Sequence, residues 1–214
     1  MDNYIILGVG KYIANIEEIL ESIYEKESSS TRDYKILGFI DSDTEKKGKN
    51  YYGYEVVGDI NWFETNQLKV NVISFINPIG RQEIFSNLPK NDLIHFPNLI
   101  HSSAIISKKA EIGIGNIIAQ GAVIAPYAKI GNHNHLNYSV IVGHHCQIDN
   151  YTTLNGGAHV AGSSHIKEAA FIGPGAVVID NITIGERSKI GANAVVRKDV
   201  PNDVTAVGVP AKIL

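Results

Sequence analysis

The chain has 214 residues, 44% hydrophobic and 19% charged, with a formal net charge of −3. That length gives one large domain or two small ones, and no basic run marks a nucleic-acid or anionic-membrane partner. The single cysteine, Cys146, excludes an internal disulfide framework and fits a reducing cytoplasm, and no segment approaches the roughly 20 apolar residues of a membrane helix.

The first ten residues, M-D-N-Y-I-I-L-G-V-G, hold a short apolar run with no basic flank. They read as a buried first strand rather than a signal peptide. I-A-N-I-E-E-I-L-E-S-I follows with helical spacing, and E-S-S-S-T-R-D is a polar loop. Y-K-I-L-G-F-I-D reads as a second strand ending in Asp41, and Y-G-Y-E-V-V-G-D as a hairpin-like segment. V-N-V-I-S-F-I-N is a further strand, and R-Q-E-I-F-S-N-L a helix. This order predicts a small α/β domain over residues 1–97, a parallel sheet with Rossmann-like wiring. Such sheets bind ligands at the C-terminal ends of their strands. Here those ends carry Gly8, Gly10, Asp41 and Asn77, and Arg81 just beyond them joins the candidate substrate-binding residues. G-V-G alone equally suits an ordinary strand-to-helix turn, but an Asp closing the next strand is the usual reader of a ribose or base edge.

From residue 100 a clock of six begins. Every sixth residue from Ile100 to Val196, seventeen positions in all, is Ile, Leu or Val. Period six fits neither a helix nor a flat amphipathic strand; it is the signature of a hexapeptide β-helix, in which each block forms one side of a triangular coil. The fold class expected is therefore an α/β front domain joined to an all-β left-handed parallel β-helix over 98–199, with 200–214 as a C-terminal tail. The aliphatic residue points inward. Two residues earlier the chain is mostly small (Ala122, Ala128, Cys146, Thr152, Ala158), as crowded corners require. Glycines follow the aliphatic position at Gly113, Gly131, Gly143, Gly173, Gly185 and Gly191, where the chain is expected to turn. Three sides make an eighteen-residue coil, and coils stack at about 4.8 Å. Residues eighteen apart share a column, so Gly162 lies one coil beyond His144 and Thr153 one coil beyond His135.

Six of the eight histidines fall between 133 and 165. His133, His159 and His165 read as solvated turn residues. His144 and His145 interrupt an aliphatic stretch, S-V-I-V-G-H-H-C-Q-I-D, on the outer edge of the coil. Histidine suits proton transfer near neutral pH. Cys146 occupies an inward small position, which favours packing over an acyl-nucleophile role.

The segment F-I-D-S-D-T-E-K-K-G-K-N-Y-Y-G-Y-E-V-V-G-D, the coil, the histidine stretch and the closing G-V-P-A-K together resemble the sugar O-/N-acyltransferases. That family includes sialic acid O-acetyltransferases and N-acetyltransferases of nucleotide-linked 4-amino-4,6-dideoxy sugars. The resemblance covers almost the whole chain; the hexapeptides are weakly specific, and the front domain with the histidine block is more so. It implies an acyl-CoA-dependent sugar N-acetyltransferase of the cytoplasm, using acetyl-CoA and no metal. The acceptor would be a UDP-, dTDP- or GDP-linked 4-amino-4,6-dideoxyhexose bound for surface glycan synthesis. The family pattern is a homotrimer with sites between subunits.

Carried over residue by residue, the resemblance makes His144 the catalytic base. His145 stands where the family has an acid, and Thr153 where it has a second histidine; His135, in the column of Thr153, would project a ring into that region. Asn137 falls where an asparagine contacts the sugar, and Gly162 where a backbone N–H binds the acetyl carbonyl. Gly173, Pro174, Gly191, Ala192 and Lys212 would line the acetyl-CoA groove. Asp41 matches the acid on the nucleotide base, although G-V-G-K-Y-I departs from the family's G-x-G-G-x-G. With a neutral His145 in the acid's place, Asp149 or a backbone carbonyl becomes a candidate orienter of His144. The alternatives are O-acetylation of a sialic or related acid, a γ-type carbonic-anhydrase-like zinc enzyme on the same β-helix, and a non-catalytic β-solenoid binding module.

Overall fold

A computed structural model of the chain describes residues 1–27 and 33–214. The polar loop read in the sequence lies largely outside the described residues. Two compact units form: Met1–Ile76 with Glu83–Pro97, and Asn77–Gln82 with Asn98–Leu214. No helix among the described residues is long and apolar enough to cross a membrane.

The first unit is built on β1 (Asp2–Leu7), α1 (Ile13–Glu27), β2 (Tyr34–Ile40), β3 (Asn50–Tyr51), β4 (Tyr54–Gly58), α2 (Trp62–Thr65), β5 (Val70–Ser74), α3 (Pro78–Asn87, shared with the second unit) and β6 (Ile94–His95). The strands form one sheet in the order β3-β4-β2-β1-β5-β6. All of its pairings are parallel except the β3–β4 hairpin, which turns through Tyr52 and Gly53, both at positive φ. Two positive-φ residues in a two-residue loop match the right-handed twist of the flanking strands. β1 is central, so Tyr4 to Leu7 are buried without alternation. α1 buries Ile13, Ile16, Ile19 and Leu20 on one stripe. β2 lies on one side of β1 and β5 on the other, which makes the C-terminal end of β1 the switch point of the sheet.

The second unit is a hexapeptide-repeat parallel β-helix. Each six-residue block contributes a two-residue strand, and the strands stack into three parallel sheets at steps of eighteen. Ile117 pairs with His135, then Thr153, Phe171 and Lys189 on the first sheet. Val123, Ile141, His159, Val177 and Val195 run up the second. Glu111, Lys129, Gln147, His165 and Thr183 run up the third. From Ile118 to Val196 every clock position is buried and joins one continuous core; Ile100, Ile106 and Ile112 pack against it partly exposed. Beyond Val196 the chain stays on the stack, with Thr205 pairing Lys189 and a final antiparallel strand, Lys212–Ile213.

Exceptions to the small-residue rule have their own logic. Asn98, Asn116 and Asn134 occupy that position in three successive coils. Each side-chain carbonyl accepts the N–H one coil on: Asn116 at 2.9 Å, Asn134 at 2.9 Å, Thr152 at 2.7 Å. Asn116 and Asn134 are fully buried; the ladder satisfies both side-chain oxygens and Asn116 Nδ2, which donates to the Gly131 carbonyl at 2.9 Å, while Asn134 Nδ2 finds no partner among the described residues.

The corners turn differently from the expectation. Glycines directly after the clock position do not carry the positive φ. That conformation falls two residues later, at every sixth residue from Gly115 to Asn193, and ten of these are not glycine: Tyr127, His133, Ser139, His145, Tyr151, Ser163, Ala169, Asn181, Arg187 and Asn193. The left-handed turn costs a non-glycine residue roughly 1–2 kcal/mol. It aims the N–H at a carbonyl of the preceding coil, as His145 donates to Pro126 (3.2 Å) and Ser163 to His144 (2.9 Å). The glycines after the clock position serve close approach instead. A Cβ on Gly143 would lie 2.8 Å from the Gly162 nitrogen, and one on Gly173 2.7 Å from that of Ala192. Gly185→Ala, whose Cβ would strike Pro201 and Asn202 backbone, is expected to cost about 1–3 kcal/mol in urea melts. Gly156→Ala, with nothing nearer than 3.6 Å, should leave the midpoint within about 0.5 kcal/mol.

Candidate active site

His144 and His145 stand at the corner between the second and third sheets, both exposed. Their side chains meet: Nδ1 of His144 lies 3.1 Å from Nδ1 of His145, with the rings edge-on at 82°. The His144 ring lies over Gly162, where a Cβ would come within 2.7 Å of Nε2. Only glycine at 162 leaves room for that imidazole. The Gly162 carbonyl accepts from Asn181, while among the described residues no acceptor takes its N–H. An imidazole beside an uncommitted backbone donor joins a base to an oxyanion-type donor at one corner.

His145 is held from below. Its ring stacks on Tyr127 at 4.9 Å and 28°, and Lys109 reaches the Tyr127 hydroxyl at 3.0 Å. Lys109, Tyr127 and His145 are eighteen apart, one column of the stack; neither Tyr127 nor Lys109 was singled out in the sequence, and that spacing was the signal that could have found them. Asp149 does not orient His144. Its carboxylate accepts from His165 Nε2 at 2.8 Å and from Gln147 at 2.9 Å, on the third sheet. Cys146 is 1% exposed, its thiol directed at the Ala161 carbonyl (3.0 Å), and burial pushes its pKa up. That makes it a core residue rather than an acyl carrier.

The other histidines depart from the solvated-turn reading. His159 and His165 are strand residues, half-buried. His133 does sit at a turn, but it is buried, stacked on Tyr151 at 5.5 Å and 9°. Burial, with the Arg81 charge nearby, lowers its pKa to about 4. His135 is buried beside Thr153 on the first sheet, away from the His144 corner.

Arg81 is corrected outright. It is 1% exposed, and Nη2 donates to the carbonyls of Tyr151 (2.8 Å) and Thr152 (2.7 Å) and to Thr153 Oγ1 (2.9 Å). It clamps the helix start to the coil instead of facing a ligand. Asn77 caps that helix, its side-chain oxygen accepting from the Gly80 N–H at 3.0 Å. Asn77 also borders a cavity of about 230 Å³ with Ile79, Phe171 and Lys189.

At the switch point of the first unit, Gly8 has a φ of +84° and Gly10 lies against Phe75. Asp41 accepts the Val9 N–H at 3.0 Å and the Asp43 N–H at 3.0 Å, and pairs with Lys46 at 3.1 Å. Burial works to raise its pKa, but those donors outweigh it and hold the carboxyl below its usual range. Asp41 thus ties two loops together, and any base edge would compete with Lys46 for it.

Asn137 sits at the corner between the first and second sheets, bonded to Asn155 at 3.2 Å. Gly173, Pro174, Gly191 and Ala192 share that corner, Pro174 and Ala192 exposed. The chain therefore separates the residues expected at one site into two corners flanking the second sheet. Lys212 is exposed at the end of the stack, where it lines a cavity of about 560 Å³ with Arg197 and Lys198. Among the described residues no group of three His, Cys, Asp or Glu side chains is placed to hold a metal ion.

Residues 163–198 match the family described as bacterial transferase hexapeptide (six repeats). No curated protein sequence matches the chain. Solved structures match it end to end. A histidine-to-asparagine mutant of perosamine N-acetyltransferase from Caulobacter crescentus, in complex with CoA and GDP-perosamine, is 27% identical, with a TM-score of 0.82 over 100% of this chain and 97% of that one. The acetyltransferase domain of PglB from Neisseria gonorrhoeae is 26% identical with a TM-score of 0.83 over 100% of both; it is also known in complex with acetyl coenzyme A. WeeI from Acinetobacter baumannii is 28% identical, with a TM-score of 0.77 over 99% of this chain and 100% of that one. The repeat and the whole-chain matches make this chain an acyl-CoA-dependent sugar N-acetyltransferase built on hexapeptide repeats.

Proposed function

We propose that the chain moves acetyl from acetyl-CoA to the 4-amino group of a nucleotide-linked 4-amino-4,6-dideoxyhexose in the cytoplasm, with His144 as general base. The observation that carries the reading is the His144 ring lying against Gly162, whose N–H is uncommitted. The similarity to an enzyme in complex with CoA and GDP-perosamine supports this substrate class.

In this reading the free amine attacks the thioester carbonyl. The new C–N bond forms as the carbonyl oxygen becomes an oxyanion, which the Gly162 N–H stabilises. His144 Nε2 takes the proton leaving the amine. The C–S bond then breaks, and the CoA thiolate takes that proton to leave as a thiol. Gly173, Pro174, Gly191, Ala192 and Lys212 bind CoA, and Asn137 the sugar. Gly8, Gly10 and Asp41 hold the nucleotide.

The division of the site between two corners supports a homotrimer. The second sheet between them presents Ile105 (66% exposed) and Ile141 (39% exposed), with Val123, Val177 and Val195 half-buried. An apolar face of this kind suits packing against another copy, whose Asn137 corner would complete the site beside His144.

Thiol release from acetyl-CoA, measured over a panel of UDP-, dTDP- and GDP-linked 4-amino sugars, tests the reading, with mass spectrometry locating the new acetyl group on nitrogen. His144→Ala should lower kcat by about 10²-fold or more, and near-normal turnover would remove it from the role. Cys146→Ser should keep kcat within about threefold; complete loss in a folded variant would revive a covalent route.

A further inference from the structure

His145 occupies the place of an acid, and its contacts suggest what it does there. We infer that neutral His145 sets the tautomer of His144: it accepts the His144 Nδ1–H at its own Nδ1 and so leaves Nε2 of His144 unprotonated. This rests on the proposed role of His144 and adds to it a positioning residue that is not a carboxylate.

The argument begins with the 3.1 Å separation of the two Nδ1 atoms. A single proton lies between them. If His145 owned it, neutral His144 would carry its other proton on Nε2, the atom facing Gly162, and no base would face that donor. If His144 owns it, Nε2 is a free acceptor and His145 carries its own proton on Nε2. Only the second arrangement is competent for proton abstraction.

Its surroundings hold His145 in this role. The left-handed backbone, φ +57°, turns the side chain back along the corner toward His144. The Tyr127 ring fixes the imidazole plane by stacking. The groups around the pair are the Lys109 ammonium, 5.1 Å above the Tyr127 ring, the Tyr127 hydroxyl, the buried Cys146 thiol and, further up the His144 column, Asp180. A neutral acceptor differs from a carboxylate in one respect that can be measured: it adds no negative charge to stabilise His144 once protonated.

Three variants and one spectrum test this. ¹⁵N-edited NMR of the free enzyme near neutral pH should show His144 with a protonated Nδ1 and an unprotonated Nε2. The opposite tautomer would overturn the proposal, and acetyl transfer to the amino sugar, read by thiol release, would be judged on its own assay. His145→Phe keeps the stack on Tyr127 but removes the acceptor. It should mix the His144 tautomers and lower kcat about 10- to 100-fold, with KM for both substrates within about twofold. His145→Glu should restore kcat and move the acid limb of the kcat profile up by about one pH unit, because a carboxylate favours the protonated His144. His145→Gln should restore kcat without moving that limb. Full activity in His145→Phe, or unmoved acid limbs in both rescues, would make His145 a turn residue only. A fully active His144→Ala would sink the parent reading instead, whatever the spectrum showed.

Discussion

The constraint on which everything else rests is the distance between successive coils. Parallel strands stack near 4.8 Å, and here that spacing is kept through every eighteen-residue turn by backbone donors aimed at the coil before. At such a separation the backbone excludes a Cβ at several corners. Glycine is therefore required where one coil crosses close above another, as at Gly143 and Gly173. The left-handed residue is required two positions later, where an N–H must reach back. The two needs sit on different residues, which is why side chains as large as Tyr127, His145 and Tyr151 occupy the left-handed position.

That arrangement also makes the chemistry. A left-handed corner residue cannot be chosen for its side chain's inward fit, because it points out. The corner between the second and third sheets thus offers three outward positions in one column, filled by Lys109, Tyr127 and His145. The neighbouring column supplies His144 and, one coil on, the absence of a side chain at Gly162. The first column carries the stacked rings, the second an exposed imidazole beside an uncommitted N–H. Register and reactivity follow from the same spacing.

Much of this was legible in the residues. The period of six announced the coil because inward volume is the same on every side, so the same aliphatic class recurs. The eighteen-residue column placed Gly162 against His144 before any coordinates. What the pattern did not reveal depended on contacts outside the period. Arg81 belongs to no repeat, and only the folded chain reveals that its guanidinium is consumed by the carbonyls of Tyr151 and Thr152. His133 and Asp149 were misread because a corner residue's exposure depends on its neighbours in the stack: Tyr151 covers the first, and His165 claims the second. The turn residues were misread because glycine signals both positive φ and close approach, and only geometry separates them.

Residues 200–214 have a consequence for the last coil of the stack. A parallel β-helix leaves open strand edges at its terminus, and open edges recruit other chains. Here the same segment lies over the last strand of each of the three sheets. Val200 bonds to Thr183 and Gly185 at the end of the third sheet, Gly208 and Ala211 bond Val195 at the end of the second, and Lys212–Ile213 returns antiparallel on Thr205–Val207 at the end of the first. The segment that carries Lys212 is thus also the stopper of the solenoid. Trimming it would remove a cation and at the same time bare the strand edges of the last coil to other chains.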